Sequence, residues 1–275
     1  ELDATEIIDV IKNDLERTGE FILIPSTEML SIPTSPDSVI HRDWLLLDAD
    51  AIIFLTTEKL GESIDIAYSI YDIRAKKIVL KKKIYGVPDG LRQSSHYVSD
   101  GIYKHYYGIE GVSSTKLMYV AKNDDIYRLI VSDADGFNEQ TLLKSTQSII
   151  SPAWSPDAKD VAYVSFENNR AQVFTQNLET GTRKSILSSK FSVSAPAWSP
   201  DRRYIAFTST MDGNSEIYII NLITKKIERL TENSAIDTEP AWSTDGKKII
   251  FTSDRSGSPQ IYELDLRTKL KRRIT

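Results

Sequence analysis

A chain of 275 residues, of which 40% are hydrophobic, is long enough for one large or two ordinary globular domains. It has no cysteine, which excludes disulfides and thiolate metal sites, and no apolar run reaches the roughly 18 residues of a membrane-spanning helix. Residues 1–110 carry 12 basic and 19 acidic side chains, whereas residues 111–275 carry 22 and 20. The acidic first part argues against nucleic acid as a partner.

The N-terminal part predicts helices that alternate with strands. Apolar residues recur at helical spacing at Ile7, Ile8, Ile11 and Leu15, and Gly19 follows as a stop signal. We next predict a short strand at residues 21–25, a helix at 37–47 with Trp44 on its buried side, and a buried strand at 51–56. A third helix is predicted over residues 88–107. This alternation indicates a small α/β domain over residues 1–110.

One pair of predicted strands contains the basic cluster of the chain. The alternation of Ile64, Ile66, Tyr68 and Ile70 predicts a half-exposed strand opposite a second strand at residues 77–85. The cluster consists of Lys76, Lys77, Lys81, Lys82 and Lys83. Lysines discourage a sheet edge from pairing with another edge, so we predict that this is an edge strand. The alternative is a site for a polyanion.

The second part is built on a repeat. The sequence Pro-Ala-Trp-Ser begins at Pro152, Pro196 and Pro240, which gives a period of 44 residues. A period of about 40–50 residues made of short strands is typical of β-propeller blades. Each unit predicts four strands, a to d, with the tryptophan in strand a. Strands near residues 116–121, 125–133 and 139–144 predict an earlier blade without its own strand a, so residues 111–275 hold four blades.

The tryptophans of the repeat, Trp154, Trp198 and Trp242, have two interpretations. A large apolar ring at the same place in every blade favours packing of one blade on the next, and an aromatic ligand cage is the alternative. The segment Asp133-Ala-Asp135-Gly136 resembles the start of a calcium loop, but the remaining ligands are missing. We therefore predict a turn between strands c and d of the first blade.

The sequence lacks the common catalytic motifs. The three histidines, His41, His96 and His105, all precede the blades, so the blades contain no Ser-His-Asp set. Metal-binding His-x-x-x-His spacing and glycine-rich phosphate loops are also absent. We predict no catalytic residue, no cofactor and no metal site. The alternative function is the propeller domain of a prolyl-oligopeptidase-like hydrolase or a sugar lyase without its catalytic part.

An ordered set of motifs around the junction of the two parts identifies a family. The chain resembles the TolB family over essentially its whole length. The motifs are His96-x-x-Ser99-Asp100-x-x-Tyr103, Gly108-Ile-Glu-Gly-Val112, Lys116-Leu-Met-Tyr-Val120, Ser132-Asp133-x-Asp135-Gly136-x-Asn138 and the three Pro-Ala-Trp-Ser repeats. Their order and spacing together are specific, whereas a single Pro-Ala-Trp-Ser occurs in many propellers.

The resemblance implies a multi-domain α+β fold, with a small N-terminal α/β domain followed by a six-bladed propeller of which four blades are present. A first strand upstream of Glu1 and two blades beyond Thr275 are expected to be missing. The resemblance further implies a non-enzymatic scaffold of the periplasmic Tol–Pal system. Such a scaffold serves outer-membrane integrity and envelope constriction at cell division, and it meets membranes only through its partners.

The resemblance also implies partners and contact residues. The propeller face would bind the peptidoglycan-associated lipoprotein Pal, some colicins would mimic that contact, and the N-terminal domain would contact TolA. Loops that precede strand a and loops between strands b and c share one rim of a propeller. The candidate Pal contacts on this rim are Ser151, Ser192, Ala195, Thr238 and Glu239, unless these loops are merely solvated turns. The candidate interdomain residues are His96, Asp100 and Tyr103.

Overall fold

Two structural units make up the chain in the computed structural model, which describes residues 4–61, 63–86 and 90–275. The first unit comprises Glu1–Lys116 together with Asp133–Phe137, and the second comprises Leu117–Ser132 and Asn138–Thr275. The short segment Asp133–Phe137 therefore packs with the N-terminal unit, although it connects two strands of the first blade. No helix in the described ranges has the length and apolar character needed to cross a membrane.

Helix α1 (Ala4–Arg17) opens the first unit. Its buried face contains Ile7, Ile11 and Leu15, each less than 5% exposed, which confirms the predicted helix. Ile8 is 38% exposed, because successive helical residues are about 100° apart and it falls outside that face. The helix ends at Arg17, and Gly19 stops it: its φ of 73° is readily adopted only by glycine, and its N–H donates to the Glu16 carbonyl.

The first unit contains a three-stranded antiparallel sheet in the order β1-β2-β3. The strands are β1 (Ala51–Leu60), β2 (Ser63–Asp72) and β3 (Lys77–Ile84). Helices α1 and α3 (Leu91–Tyr107) bury Ile66, Tyr68 and Ile70 of the central strand β2. The predicted pairing of β2 with β3 and the edge position of β3 are thus confirmed within the described residues.

Four predictions for the first unit were wrong in part. Strand β2 was predicted to be half-exposed, but six of its ten residues are buried and none is exposed, because both faces of this central strand are covered. Residues 21–25 pair with no strand among the described residues. The predicted second helix is a 3₁₀ turn at Pro36–Ser38 followed by α2 (His41–Leu46), because Val39 between them is extended, although Trp44 is buried as predicted. Strand β1 continues to Leu60 and its second half is exposed, so it is not a buried strand.

The second unit contains four sheets, which we call blades one to four. Blade one has three strands: β4 (Lys116–Asn123), β5 (Ile126–Asp133) and β6 (Gln140–Ser145). Blade two has β7 (Ile149–Trp154), β8 (Asp160–Ser165), β9 (Ala171–Asn177) and β10 (Arg183–Ser189). Blade three has β11 (Val193–Trp198), β12 (Tyr204–Ser209), β13 (Glu216–Asn221) and β14 (Ile227–Arg229). Blade four has β15 (Asp237–Trp242), β16 (Lys248–Ser253), β17 (Gln260–Asp265) and β18 (Lys271–Arg273).

The predicted four blades, and the three-stranded form of the first, are confirmed for the described residues. Neighbouring blades share apolar cores, because each core takes residues from two sheets. Between blades two and three, for example, Val164 and Val173 pack with Phe207. Trp154, Trp198 and Trp242 are half-buried and each packs against one of these shared cores, as the packing interpretation predicts. The same three rings also line a cavity of about 450 Å³.

Candidate functional site

Backbone hydrogen bonds bring the two predicted kinds of rim loop together. In blade two, the Phe166 N–H donates to the Ser148 carbonyl at 3.1 Å, and in blade three the Thr210 N–H donates to the Ser192 carbonyl at 3.2 Å. Each bond joins the residue after strand b to the residue before strand a. Since strands a and b are antiparallel, these loops lie at the same end of each blade. We call this end of blades two to four the a-start rim.

Ser192 lies in the loop before strand a, as predicted, whereas the other four candidate contact residues lie within the first three residues of strand a rather than in loops, namely Ser151, Ala195, Thr238 and Glu239. Ser192 and Glu239 are exposed, and Thr238 is half-buried. The backbone of Ser192 is fixed, because its N–H donates to Thr210 Oγ1 at 3.2 Å and its carbonyl accepts from Ser209 Oγ at 2.9 Å. Its hydroxyl is therefore presented from a rigid position.

Ser151, Ala195 and Glu239 occupy the same place in three inner strands. Their φ values are 52°, 50° and 55°, a left-handed conformation that is uncommon for residues other than glycine. Each sits where the pairing of strands a and b shifts by one residue, so each strand a has a β-bulge. Ala195 is only 9% exposed, so its methyl group offers little surface and its backbone would supply any contact.

Two apolar side chains on this rim were missed by the sequence reasoning. Phe191 is 39% exposed and directly precedes Ser192, and Ile236 is 51% exposed and precedes β15. The Lys190 ammonium lies 5.2 Å from the centre of the Phe191 ring. The sequence did contain a signal for these two residues. Each is an aromatic or branched apolar residue within a polar loop, and a turn requires no such residue.

Buried ion pairs support the loops behind the rim of blade four. Asp237, which is fully buried, accepts from Arg255 Nη2 at 2.7 Å, and Arg255 Nε donates to Ser253 Oγ at 2.8 Å. The Arg255 guanidinium also lies 4.8 Å from the centre of the Tyr262 ring. The buried Glu216 similarly accepts from Arg229 Nη2 at 3.0 Å. These pairs hold the loop that leads to Thr238 and Glu239 in one conformation.

The three candidate interdomain residues all lie on α3 and make contacts inside the first unit. Asp100 accepts from the Ser113 N–H at 2.8 Å and from the Ser114 N–H at 3.0 Å, which fixes the segment after α3. Gly111 is required beside it, because a Cβ there would lie 2.7 Å from the Asp100 Cα. The ring of Tyr103 stacks on that of Tyr107 at 4.8 Å.

His96 belongs to a buried charged cluster that also contains Asp14, Asp135 and Arg92. His96 is fully buried, its Nδ1 lies 2.7 Å from Asp14 Oδ2, and its Nε2 lies 3.9 Å from Asp135 Oδ2. Asp135 accepts from Arg92. Burial raises the pKa of the Asp135 carboxyl, but hydrogen bonds from the Phe137 N–H and Arg92 outweigh it, so the pKa lies below its ordinary value.

This cluster has the residue types of a metal site but the charge balance of an ion-pair network. Ligand atoms of Asp14, His96 and Asp135 lie within 4.8 Å of one another. However, Arg17 pairs with Asp14 at 3.2 Å, and Arg92 pairs with Asp135, so each carboxylate already faces a guanidinium. The predicted turn at Asp133–Gly136 is confirmed by the Gly136 N–H, which donates to the Asp133 carbonyl at 2.9 Å. Sequence reasoning missed that Asp135 also joins this cluster.

Comparison with known proteins places these features in a family. The family model described as TolB beta propeller domain matches residues 103–275, and the one described as TolB amino-terminal domain matches residues 2–79. The chain is 39% identical over 184 residues to the Tol-Pal system protein TolB of Pseudomonas syringae pv. syringae, and 41% identical over 188 residues to that of Hahella chejuensis. These matches cover 65% and 66% of the chain, but only 42% and 43% of the two relatives.

A solved structure has a similar fold. The crystal structure of TolB from Acinetobacter baumannii superimposes on this chain with a TM-score of 0.92 at 36% sequence identity. The match covers all of this chain and 69% of the Acinetobacter chain. The propeller model spans the three Trp repeats, and the structural match spans the whole chain. The chain therefore belongs to the TolB family.

Proposed function

We propose that this chain is a non-enzymatic scaffold of the Tol–Pal system that binds the peptidoglycan-associated lipoprotein Pal through the a-start rim of its propeller. The observation that carries the proposal is the pairing of exposed apolar and polar side chains there. Phe191 stands beside Ser192, and Ile236 stands two residues before Thr238. Apolar anchors beside polar groups are typical of the centre of protein–protein interfaces.

The rigidity of the rim supports the same function. A surface that is already ordered loses little conformational entropy when a partner binds, so more of the contact energy appears as affinity. The hydrogen bonds at Ser192 and the buried pair of Asp237 with Arg255 supply this order. Ser151, Ser192, Ala195, Thr238 and Glu239 remain our proposed Pal contacts, Ala195 through its backbone.

The remaining parts of the proposal follow from the family. We propose the periplasm as the location, TolA as a partner of the first unit, and colicins as proteins that use the Pal-binding rim. His96, Asp100 and Tyr103 would serve the junction: Asp100 fixes the segment after α3, His96 ties α3 to α1, and Tyr103 stacks on Tyr107 at the end of α3. Outer-membrane integrity and envelope constriction at cell division are the proposed cellular roles.

Calorimetric titration of this chain with the soluble domain of its cognate Pal tests the proposal. We expect binding, and we expect Glu239→Arg to weaken it, because an exposed rim side chain is replaced by a longer one of opposite charge. Glu179→Arg is the matched control, since Glu179 is exposed in the turn between strands c and d, at the opposite end of blade two. An absence of heat at high micromolar concentration, or equal effects of the two variants, would refute Pal binding at this rim.

A further inference from the structure

The outer edge of β3 is a free sheet edge. Strand β3 pairs with β2 only, and in the described ranges no other strand lies beside it. Among the backbone hydrogen bonds that lie outside helices and strand ladders, none in the described residues involves Lys77–Ile84. The alternate N–H and C=O groups of this strand that point away from β2 therefore have no backbone partner in the described part of the chain.

Lysines flank this edge on both faces of the sheet. Lys82 lies opposite Tyr68, and cross-strand partners share a face, so Lys82 is on the side of the sheet that α1 and α3 cover. Lys81 lies opposite Ser69, and therefore on the other side. Both lysines are exposed. A strand laid along the edge would meet a cation above and a cation below at successive positions.

These charges stand out within an acidic unit. Residues 73–88 contain six basic and no acidic side chains, whereas the rest of residues 1–110 contain six basic and 19 acidic ones. The charge of Lys83 is paired within the sheet, because its ammonium lies 2.9 Å from Asp65 and 3.1 Å from Glu58. Among the described residues no ion pair involves the other lysines, namely Lys76, Lys77, Lys81 and Lys82.

We propose that the β3 edge binds an extended acidic segment of another protein, which adds as a fourth strand to the sheet. Its backbone would satisfy the free N–H and C=O groups, and two adjacent carboxylates would face Lys81 and Lys82 on opposite sides. Opposite charges that face each other across a ladder stabilise it, and like charges destabilise it. The ligand is thus defined as a β-forming peptide with adjacent acidic residues.

The local geometry limits the length of this site. The pairing of β3 with β2 shifts between Leu80 and Ile78, so Val79 forms a bulge. Bulges bend an edge strand and interrupt its pairing. The regular part of the edge is therefore residues 80–84, which includes the lysines that our proposal uses. Lysines that only protect the edge from other chains would give the same structure, and binding measurements separate the two roles.

Fluorescence anisotropy with the full chain tests the proposal. The probe is a short labelled peptide of threonine and valine with two adjacent glutamates at its centre. We expect saturable binding that weakens about tenfold or more in the double variant Lys81→Glu/Lys82→Glu, because two attractive pairs become repulsive. The variant Lys225→Glu/Lys226→Glu is the control, since it makes the same charge change at exposed lysines of another hairpin. We expect the control to bind as the parent chain does.

A second pair of probes separates strand pairing from charge attraction. The same acidic peptide with N-methyl groups on alternate central amides keeps its charge but cannot form the ladder, and we expect it to lose binding. Slower amide exchange in residues 80–84 with the unmodified peptide would support the fourth strand. Equal binding of the methylated peptide, or of a short oligonucleotide, would show a plain polyanion patch and overturn the proposal. An absence of binding would show that the lysines only protect the edge, and would overturn it as well.

Discussion

Nδ1 of His96 lies 2.7 Å from Oδ2 of Asp14, although the two residues are 82 positions apart in the chain. This is a hydrogen-bonding distance between the two side chains. Both side chains are essentially without solvent contact, and the bond joins α1 to α3. The pair therefore ties together the two helices that cover one face of the sheet.

Replacement of His96 by alanine is expected to destabilise the first unit by about 3 kcal/mol, because it leaves the buried Asp14 carboxylate with Arg17 as its remaining partner and opens a cavity. Urea denaturation measures the loss, and hydrogen exchange of α1 and α3 locates it. His105→Ala is the matched control, since His105 lies on the same helix and is exposed. A change of less than about 0.5 kcal/mol is expected there. Equal stability of the two variants would contradict a structural role for the pair.

The blades were predictable because they repeat. A fixed spacing of 44 residues aligns Trp154, Trp198 and Trp242, and the flanking alternation then marks each strand. Every copy of the repeat is independent support for the same assignment, so errors in one blade are corrected by the next. The bulges at Ser151, Ala195 and Glu239 were not predictable, because no glycine marks their left-handed conformation.

The first unit has no repeat, and its errors have local causes. The apolar sequence around Ile24 suggests a strand, but a strand exists only where a partner pairs with it, and sequence does not give the partner. The contact of His96 with Asp14 and Asp135 depends on how three distant segments fold together. Exposure of Phe191 likewise depends on packing. Residues 87–89, where the third helix was predicted to begin, lie outside the described residues.

The second prediction concerns the packing tryptophans. Trp198→Ala is expected to destabilise the propeller by about 3–5 kcal/mol, because it removes a large ring from the core shared by blades two and three. Trp198→Phe keeps much of that apolar contact and is expected to cost less. Thermal or urea denaturation of the second unit measures both. Unchanged stability of Trp198→Ala, together with loss of a bound ligand, would instead favour the aromatic-cage interpretation.

The third prediction concerns acid sensitivity of the turns after strand a. The Ser199 hydroxyl donates to Asp201 at 2.6 Å, and this bond is the main cause that lowers the pKa of Asp201 below its ordinary value of 3.8. The Ser243 hydroxyl likewise lowers the pKa of Asp245. Because the folded pKa lies below the unfolded one, each group stabilises the fold above the unfolded value, and this stabilisation is lost as pH falls through the folded pKa.

The double variant Asp201→Asn/Asp245→Asn replaces the two carboxyl groups whose pKa values are lowered with amides that do not titrate. We expect it to be less stable than the parent chain near neutral pH, and we expect the difference to shrink as the pH falls below the ordinary aspartate value of 3.8. Unfolding free energies measured across this range check the prediction. A difference that stays constant with pH would show that the effect of the two substitutions does not depend on ionisation of the carboxylates, and would contradict the prediction.

The last prediction tests the apolar anchors of the a-start rim. Phe191→Ser and Ile236→Ser are each expected to weaken Pal binding by about tenfold or more, because truncation of an anchor at the centre of an interface costs about 2 kcal/mol or more. Ile236→Ser should change stability little, because its side chain is 51% exposed in the free chain, whereas Phe191→Ser should also cost some stability, because that ring is only 39% exposed. Unfolding free energies of both variants therefore accompany the binding measurement. Ile223→Ser is the matched control: Ile223 is 79% exposed, but it lies in the turn between strands c and d, at the opposite end of blade three. If all three variants bind Pal equally well, the apolar side chains of the rim do not anchor Pal. If only Ile223→Ser weakens binding, Pal binds at the opposite end of the blades.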